Sequence, residues 1–265
     1  MIITVFHKYW KTAALEATGY IGDDPMFFVQ FIFRFFRVIV LLSIWRTILT
    51  NSGTASGMSL DAVLTYTLIA EVFSDQLNPQ TGLAWALLRG KIAYSMIQPM
   101  GLVEQFSSKM IGRWLFNFAL FSVPLLLISP LLGVTPAPAG LTAAFLFVIS
   151  LLLCVSVGVA LDFIITALGM VYFEQTIYAI ERVRTALTLL LSGAIIPLAF
   201  MPWGLGEILA WLPFASTASA VLKIYTGTGD SWLLIGVQLG WSIILWPLSH
   251  WLWESNREKL VSFGG

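Results

Sequence analysis

Apolar stretches long enough to cross a lipid bilayer recur along this chain. The hydrocarbon core is about 30 Å thick, so a spanning helix needs about 20 mostly apolar residues. Six stretches meet that length, at residues 28–50, 58–78, 103–129, 141–170, 185–203 and 231–253. Only 11% of the 265 residues are charged, whereas soluble domains carry about 25%. We therefore predict an all-α membrane protein with six transmembrane helices, forming a single domain over residues 1–265.

The segment before the first apolar stretch has the pattern of a helix lying on the membrane surface. Residues 1–25 mix charged and aromatic side chains, unlike the uninterrupted apolar run of a cleavable signal peptide. Several apolar positions recur near helical spacing, namely Phe6, Tyr9, Trp10, Ala13 and Ala17. We expect an amphipathic interfacial helix here.

The basic residues predict the orientation in the membrane. If the N-terminus is cytoplasmic, Lys223 is the only basic residue in the outer loops. The inner segments then hold Lys8, Lys11, Arg89, Lys91, Lys109, Arg113, Arg182, Arg184, Arg257 and Lys259. Because basic residues accumulate on the cytoplasmic side, we expect both termini to be cytoplasmic.

Two connecting segments are too long and too apolar to be simple loops. The inner one, residues 79–102, is basic and helix-like, and Pro79 and Pro99 interrupt it. It is either an ordinary interfacial helix or a docking element for a cytoplasmic partner. The outer one, residues 204–230, is too apolar for a solvated loop and too broken for a span. We predict that it forms short re-entrant helices between spans five and six.

Taken in order, these features resemble the permease subunit of type-2 ATP-binding-cassette exporters. The motifs that carry the resemblance are the surface helix, Leu88-Arg89-Gly90-Lys91-Ile92-Ala93 followed by Gln98-Pro99, residues 192–198 followed by Met201-Pro202, and Leu212-Pro213-Phe214. The likeness is greatest to a bacterial branch with short permeases that are often encoded as two dissimilar partners. Such a chain would be a multi-pass protein of the bacterial inner membrane.

The resemblance implies a complex of two permeases, identical or dissimilar, with two nucleotide-binding ATPase subunits. The phosphate-binding pattern Gly-x-x-x-x-Gly-Lys-Ser/Thr does not occur in the chain. ATP and Mg²⁺ are therefore expected on the partner subunit, with no cofactor and no enzymatic activity in this chain. The residues expected to couple to the ATPase are Leu88, Arg89, Gly90, Lys91, Ile92, Pro99, Arg182 and Arg184.

We single out five charged residues inside the predicted spans as candidates for a specific role: Arg34, Arg37, Glu71, Asp75 and Asp162. A charge at the centre of a bilayer costs roughly 2.5–3.5 kcal/mol on an insertion scale. Glu71 and Asp75 lie four residues apart, so pairing with the arginines of span one is one interpretation, and a role in gating or substrate binding is the other. Asp162 is expected to make a packing contact or to act in transport. Glu104, Lys109 and Arg113 are interpreted as a solvated inner edge of span three.

An apolar outer gate or ordinary packing is predicted for Pro197, Phe200, Met201, Pro213 and Phe214. The exported substrate is expected to be amphipathic, hydrophobic or a peptide. A zero net charge gives no reason to expect nucleic acid as a partner. The alternatives are a secondary transporter, an intramembrane lipid-modifying enzyme and a non-transporting scaffold. The first would need broken helices in both halves of an internal repeat, and the second a cluster of acids or histidines at one depth; neither pattern is visible.

Overall fold

The computed structural model describes residues 2–23, 26–50, 54–55, 57–172 and 177–256. Within these ranges the chain is helical apart from short connections and a two-residue antiparallel hairpin, Thr54–Ala55 with Met58–Ser59. The first seven helices are α1 (Ile2–Asp23), α2 (Phe27–Thr50), α3 (Leu60–Val72), α4 (Ser74–Leu77), α5 (Leu83–Leu88), α6 (Ile92–Met96) and α7 (Leu102–Asn117). A π-helical turn, Phe118–Ser122, joins α7 to α8 (Val123–Ile128). The others are α9 (Leu141–Tyr172), α10 (Ile177–Leu191), α11 (Leu205–Ala210), α12 (Pro213–Thr217), α13 (Ser219–Thr226) and α14 (Ser231–Ser255).

The prediction of an all-α fold is confirmed, and four continuous helices among the described residues are long and apolar enough to cross a membrane. They are Phe28–Thr50, Leu102–Ile128, Leu141–Gly169 and Ser231–Ser255. Each coincides with one of the six apolar stretches of the sequence. The interfacial helix predicted over residues 1–25 is present as a helix, α1, within the described residues.

The other two apolar stretches do not form continuous helices of spanning length. Residues 58–78 are divided at Phe73, where the backbone leaves helical geometry between α3 and α4. The stretch predicted at 185–203 is also displaced, because α10 covers Ile177–Leu191. Irregular backbone and two short 3-10 turns follow it. Proline cannot continue a helix, so Pro197 and Pro202 keep this region irregular.

Helix α9 lies at the centre of the bundle. Helix α14 packs along it, and α4, α10, α12 and α13 also contact it. The largest buried cluster joins α2, α3, the π-helical turn and α13 through residues such as Leu42, Leu68, Phe121 and Leu222. Burying these side chains supplies the packing energy that holds the short helices to the long ones.

The outer segment 204–230 contains three short helices, α11, α12 and α13. The sequence predicts short helices here, and their re-entry into the membrane stays a prediction. In the third, α13, Val221, Leu222 and Ile224 are fully buried, and the helix packs against α3 and α9. The Tyr225 hydroxyl donates to the Pro136 carbonyl oxygen, and Ala139 N–H donates to the Tyr225 carbonyl oxygen at 2.9 Å. The segment is therefore tied to the loop that precedes α9.

Helix α1 packs directly on α7. At the crossing point, a Cβ atom on Gly112 would lie 2.1 Å from the carbonyl oxygen of Ala13. Ala13 is buried there. Only a residue without a side chain lets the two backbones approach this closely, so Gly112 determines where α1 binds.

We predict that Gly112→Val displaces α1 from the bundle. The added side chain must overlap the α1 backbone, and overpacking of this kind typically costs about 1–3 kcal/mol. Limited proteolysis should show faster cleavage within α1, together with a lower melting temperature in mild detergent. Gly236→Val is the matched control, because a Cβ at Gly236 meets no described atom within 4 Å apart from the adjacent part of its own helix. Equal protection of α1 in both variants would contradict the close contact.

Candidate functional site

We call residues 78–82, between α4 and α5, the link; together with the end of α4 it lies across one face of α9. Cys154, Gly158 and Asp162 follow one another at four-residue intervals on that face. The Cys154 thiol contacts the Gln76 carbonyl oxygen at 3.4 Å. A Cβ atom on Gly158 would lie 2.6 Å from the Pro79 ring, so the proline fits only against a glycine.

The end of the link is held by a buried carboxylate. Asp162 Oδ2 accepts hydrogen bonds from Thr81 N–H at 2.9 Å and from the Thr81 hydroxyl at 2.5 Å. Its other oxygen, Oδ1, lies 3.2 Å from Arg184 Nη1 of α10. Arg184 and Asp162 are each 4% exposed. Asp162 therefore makes a packing contact, which is one of the two roles that the sequence analysis left open for it.

A second carboxylate, Glu181, completes this buried cluster. Arg184 Nη2 donates to Glu181 Oε2 at 2.9 Å, one turn away on α10. Glu181 precedes the predicted fifth span. The cluster connects α9, α10 and the link through charge-assisted hydrogen bonds.

The cytoplasmic segment predicted at 79–102 folds as the helix pair α5 and α6. Its base is buried: Leu83, Leu87 and Ile92 pack in a cluster that includes Phe106 and Phe163. Helix α5 ends at Leu88, and the turn that follows contains Gly90, whose φ of +65° is a left-handed conformation that glycine adopts without strain. The Gly90 and Lys91 N–H groups donate to the carbonyls of Leu87 and Ala86, at 3.0 and 2.8 Å.

The predicted coupling residues divide into exposed and buried positions. Arg89, Gly90 and Lys91 are exposed at the turn between α5 and α6. Pro99, between α6 and α7, and Arg182, on α10, are also exposed. Ile92 is fully buried, so it supports the turn rather than presenting a surface. Arg184 is also buried, and any part it plays in coupling must pass through Asp162. The side chain of Leu88 lies outside the described residues.

A cavity of about 400 Å³ lies between α2, α3, α7 and the end of α10. Its charged lining residues are Arg34, Arg37, Glu71, Asp75 and Arg113. The pairing expected between spans one and two is present. Arg37 donates to Glu71, and Arg34 Nη1 lies 3.7 Å from Asp75 Oδ2. Four of the five charged residues predicted inside spans therefore meet at this cavity.

Two further contacts fix Arg34 in the cavity wall. Its Nη2 donates to the Ser74 hydroxyl at 2.5 Å. Its guanidinium carbon lies 4.0 Å from the centroid of the Phe121 ring, which is the geometry of a cation–π contact. Arg34 therefore bridges the π-helical turn and the start of α4.

Sequence reasoning missed Arg113, which was interpreted as part of a solvated inner edge. Its Nη2 instead donates to the carbonyl oxygens of Gln80 and Thr81, at 3.0 and 3.2 Å. Arg113 follows Leu102, the first residue of α7, by eleven positions, or about 16 Å at 1.5 Å per residue. This depth within an apolar stretch is the sequence signal that Arg113 does not belong to a solvated edge.

The predicted outer-gate residues lie in different environments. Pro197 is buried, and the Phe200 ring packs 4.9 Å from the Trp45 ring centroid. Met201 lines a second cavity of about 730 Å³ beside the outer segment. Pro213 and Phe214 begin α12, which packs on α9 and α14. Whether these residues open or close a path stays a prediction.

Comparisons with models of protein families and with curated proteins give no match to this chain. Among the residues that the structure describes, no three His, Cys, Asp or Glu side chains are grouped so that they could hold a metal ion.

We predict that Arg184→Met strongly destabilises the protein. It would leave Asp162 and Glu181 buried together without their cation, and breaking a buried ion pair from one side typically costs about 3–5 kcal/mol. The measurement is the melting temperature in mild detergent. Adding Glu181→Gln should recover part of the loss by removing one of the two stranded charges.

The matched control is Arg182→Met, the same substitution two residues earlier at an exposed position. Changes at such surface positions usually stay within about 0.5 kcal/mol. A similar loss of stability in both variants would mean that the buried cluster does not contribute as its geometry indicates.

Proposed function

We propose that this chain is the permease subunit of an ATP-driven exporter of the type-2 ATP-binding-cassette class. It would form the translocation path with a second permease, and nucleotide-binding ATPase subunits would bind its cytoplasmic side. The observation that carries the proposal is the α5–α6 pair. Its apolar base is buried in the bundle, while its tip exposes Arg89 and Lys91 beside the aromatic rings of Trp85 and Tyr94.

Through the contacts of this pair, a bound partner would displace other helices of the bundle. Helix α5 touches both α9 and α10, and the link that precedes it is held by Asp162 and Arg113. A push on the exposed tip would therefore be transmitted to α7, α9 and α10 rather than absorbed in a flexible loop. ATP binding at the partner would bias the permease between inward-facing and outward-facing states.

We also propose six membrane crossings, with both termini in the cytoplasm of a bacterial cell. Helix α3 supports a crossing inside the bundle, because all its residues from Val63 to Val72 are buried. A broken helix is tolerated at membrane depth where protein surrounds it. The fifth crossing would combine α10 with the irregular residues up to 203. The distribution of Lys and Arg supports the orientation.

Labelling of single cysteines tests this topology. Cys154 is the only cysteine and is buried, so a Cys154→Ala background should not react. In intact cells, a membrane-impermeant maleimide should label Gly140→Cys and Thr228→Cys. It should label Lys91→Cys only after the membrane is permeabilised. The opposite pattern would contradict the orientation, and labelling of all three would contradict the number of crossings.

Charge reversal at the exposed tip tests the ATPase contact. We expect the chain, purified from its host in mild detergent, to carry a nucleotide-binding subunit that intact-mass measurement detects. Arg89→Glu with Lys91→Glu should reduce its recovery about tenfold, the equivalent of 1.4 kcal/mol of binding. Lys11→Glu, an exposed change on α1, should leave it unchanged. An intact assembly without any ATPase would contradict the proposal.

One observation favours a second candidate function, a secondary transporter. Ion-paired charges around a cavity at membrane depth are also what proton or ion coupling requires. Transport by the purified chain in vesicles without ATP and without a partner would support this candidate over the exporter.

A further inference from the structure

We propose that the 400 Å³ cavity binds an oxyanion, a phosphate or carboxylate, carried as the head group of an amphipathic molecule. As the cargo of an exporter, this ligand rests on the proposed function, but its binding does not depend on the ATPase. An amphipathic substrate is among those expected from the sequence. The proposal adds the charge of its head group and the cavity in which that head group binds.

The charges that line the cavity do not balance. Three guanidinium groups, those of Arg34, Arg37 and Arg113, face two carboxylates, those of Glu71 and Asp75. The formal charges leave an excess of one positive charge. Arg37 and Arg34 are the partners of the two acids.

The excess charge belongs to Arg113. Within the part of the chain that the structure describes, no carboxylate lies at ion-pair distance from its guanidinium. Its acceptors are the neutral carbonyl oxygens of Gln80 and Thr81. Both bonds come from Nη2, and a guanidinium has five N–H donors in a planar fork. A phosphate or carboxylate is the acceptor that matches such a fork.

The rest of the lining suits the same ligand. Asn78 and Asn117 bring amide groups and Thr188 a hydroxyl, all of which can donate hydrogen bonds to an oxyanion. Phe31, Trp114 and Ile195 supply an apolar side. A charged head beside Arg113 and an alkyl chain against these side chains would use both parts of the wall. A cation would instead add to the unbalanced positive charge.

Binding of three probes to the purified full-length chain tests the inference. The probes are dodecyl phosphate, dodecyltrimethylammonium and inorganic phosphate, each measured by calorimetric titration in lipid nanodiscs. We expect saturable binding of dodecyl phosphate and none of the cation. Inorganic phosphate should bind more weakly, because it has no chain to place against the apolar side. Equal binding of the anionic and cationic amphiphiles would overturn the proposal.

Variants at Arg113 identify the site. Arg113→Gln removes the charge but keeps a side-chain amide for the link carbonyls, and it should weaken dodecyl phosphate binding about tenfold or more. Arg113→Lys keeps the charge and should lie closer to the wild type, and melting temperatures would verify that both variants fold. Arg46→Gln is the control, because Arg46 also donates to backbone carbonyls, of Leu132 and Gly133, but does not line the cavity.

Unchanged affinity in Arg113→Gln would overturn the assigned site, and an equal loss in Arg46→Gln would do the same. Inorganic phosphate binding as tightly as dodecyl phosphate would overturn the amphipathic part of the ligand and support a free anion. Since no nucleotide or ATPase is present, a negative result here leaves the ATPase co-purification result intact. A missing ATPase partner likewise leaves binding at Arg113 measurable.

Discussion

The link between α4 and α5 creates a physical problem that the surrounding helices solve. Non-helical backbone in a membrane protein leaves N–H and C=O groups without helical partners, and each needs another partner when it is buried. Asp162 accepts the Thr81 N–H, and Arg113 donates to the Gln80 and Thr81 carbonyls. The Asp162 carboxylate and the Arg113 guanidinium thus form the hydrogen bonds that backbone groups would form within a helix.

This arrangement places part of the cavity wall and the support of α5 on one short segment. Gln80 lines the polar cavity, and three residues later the chain enters α5. Any partner that moves α5 also pulls on the link, whose Pro79 fits against Gly158. The cavity and the exposed tip of the α5–α6 pair are therefore connected through the link, which contacts α7 and α9. Discrete rearrangement of packed helices is how such elements switch between states.

Hydropathy predicts the spans that are continuous helices. It fails for stretches whose helices are interrupted, because tertiary contacts determine where those interruptions fall. The stretches around α2, α7, α9 and α14 form continuous helices because length and apolarity suffice. The amino-acid sequence around Phe73 contains no signal that the helix is interrupted there. Glu71 and Asp75 at four-residue spacing did indicate pairing with Arg34 and Arg37. Gly112 and Gly158 matter because the Ala13 backbone and the Pro79 ring approach them from distant segments, which a single sequence does not reveal.

The arginines show why position decides between a structural and a binding role. Arg46, near the outer end of α2, and Arg113, about 16 Å along α7, both donate to backbone carbonyls. A long side chain near a helix end can keep its charge close to the polar interface, so Arg46 needs no anion. Arg113 points into a cavity that already contains two ion pairs. Its charge has no carboxylate partner among the described residues, so an acceptor with negative charge is the ligand that complements it.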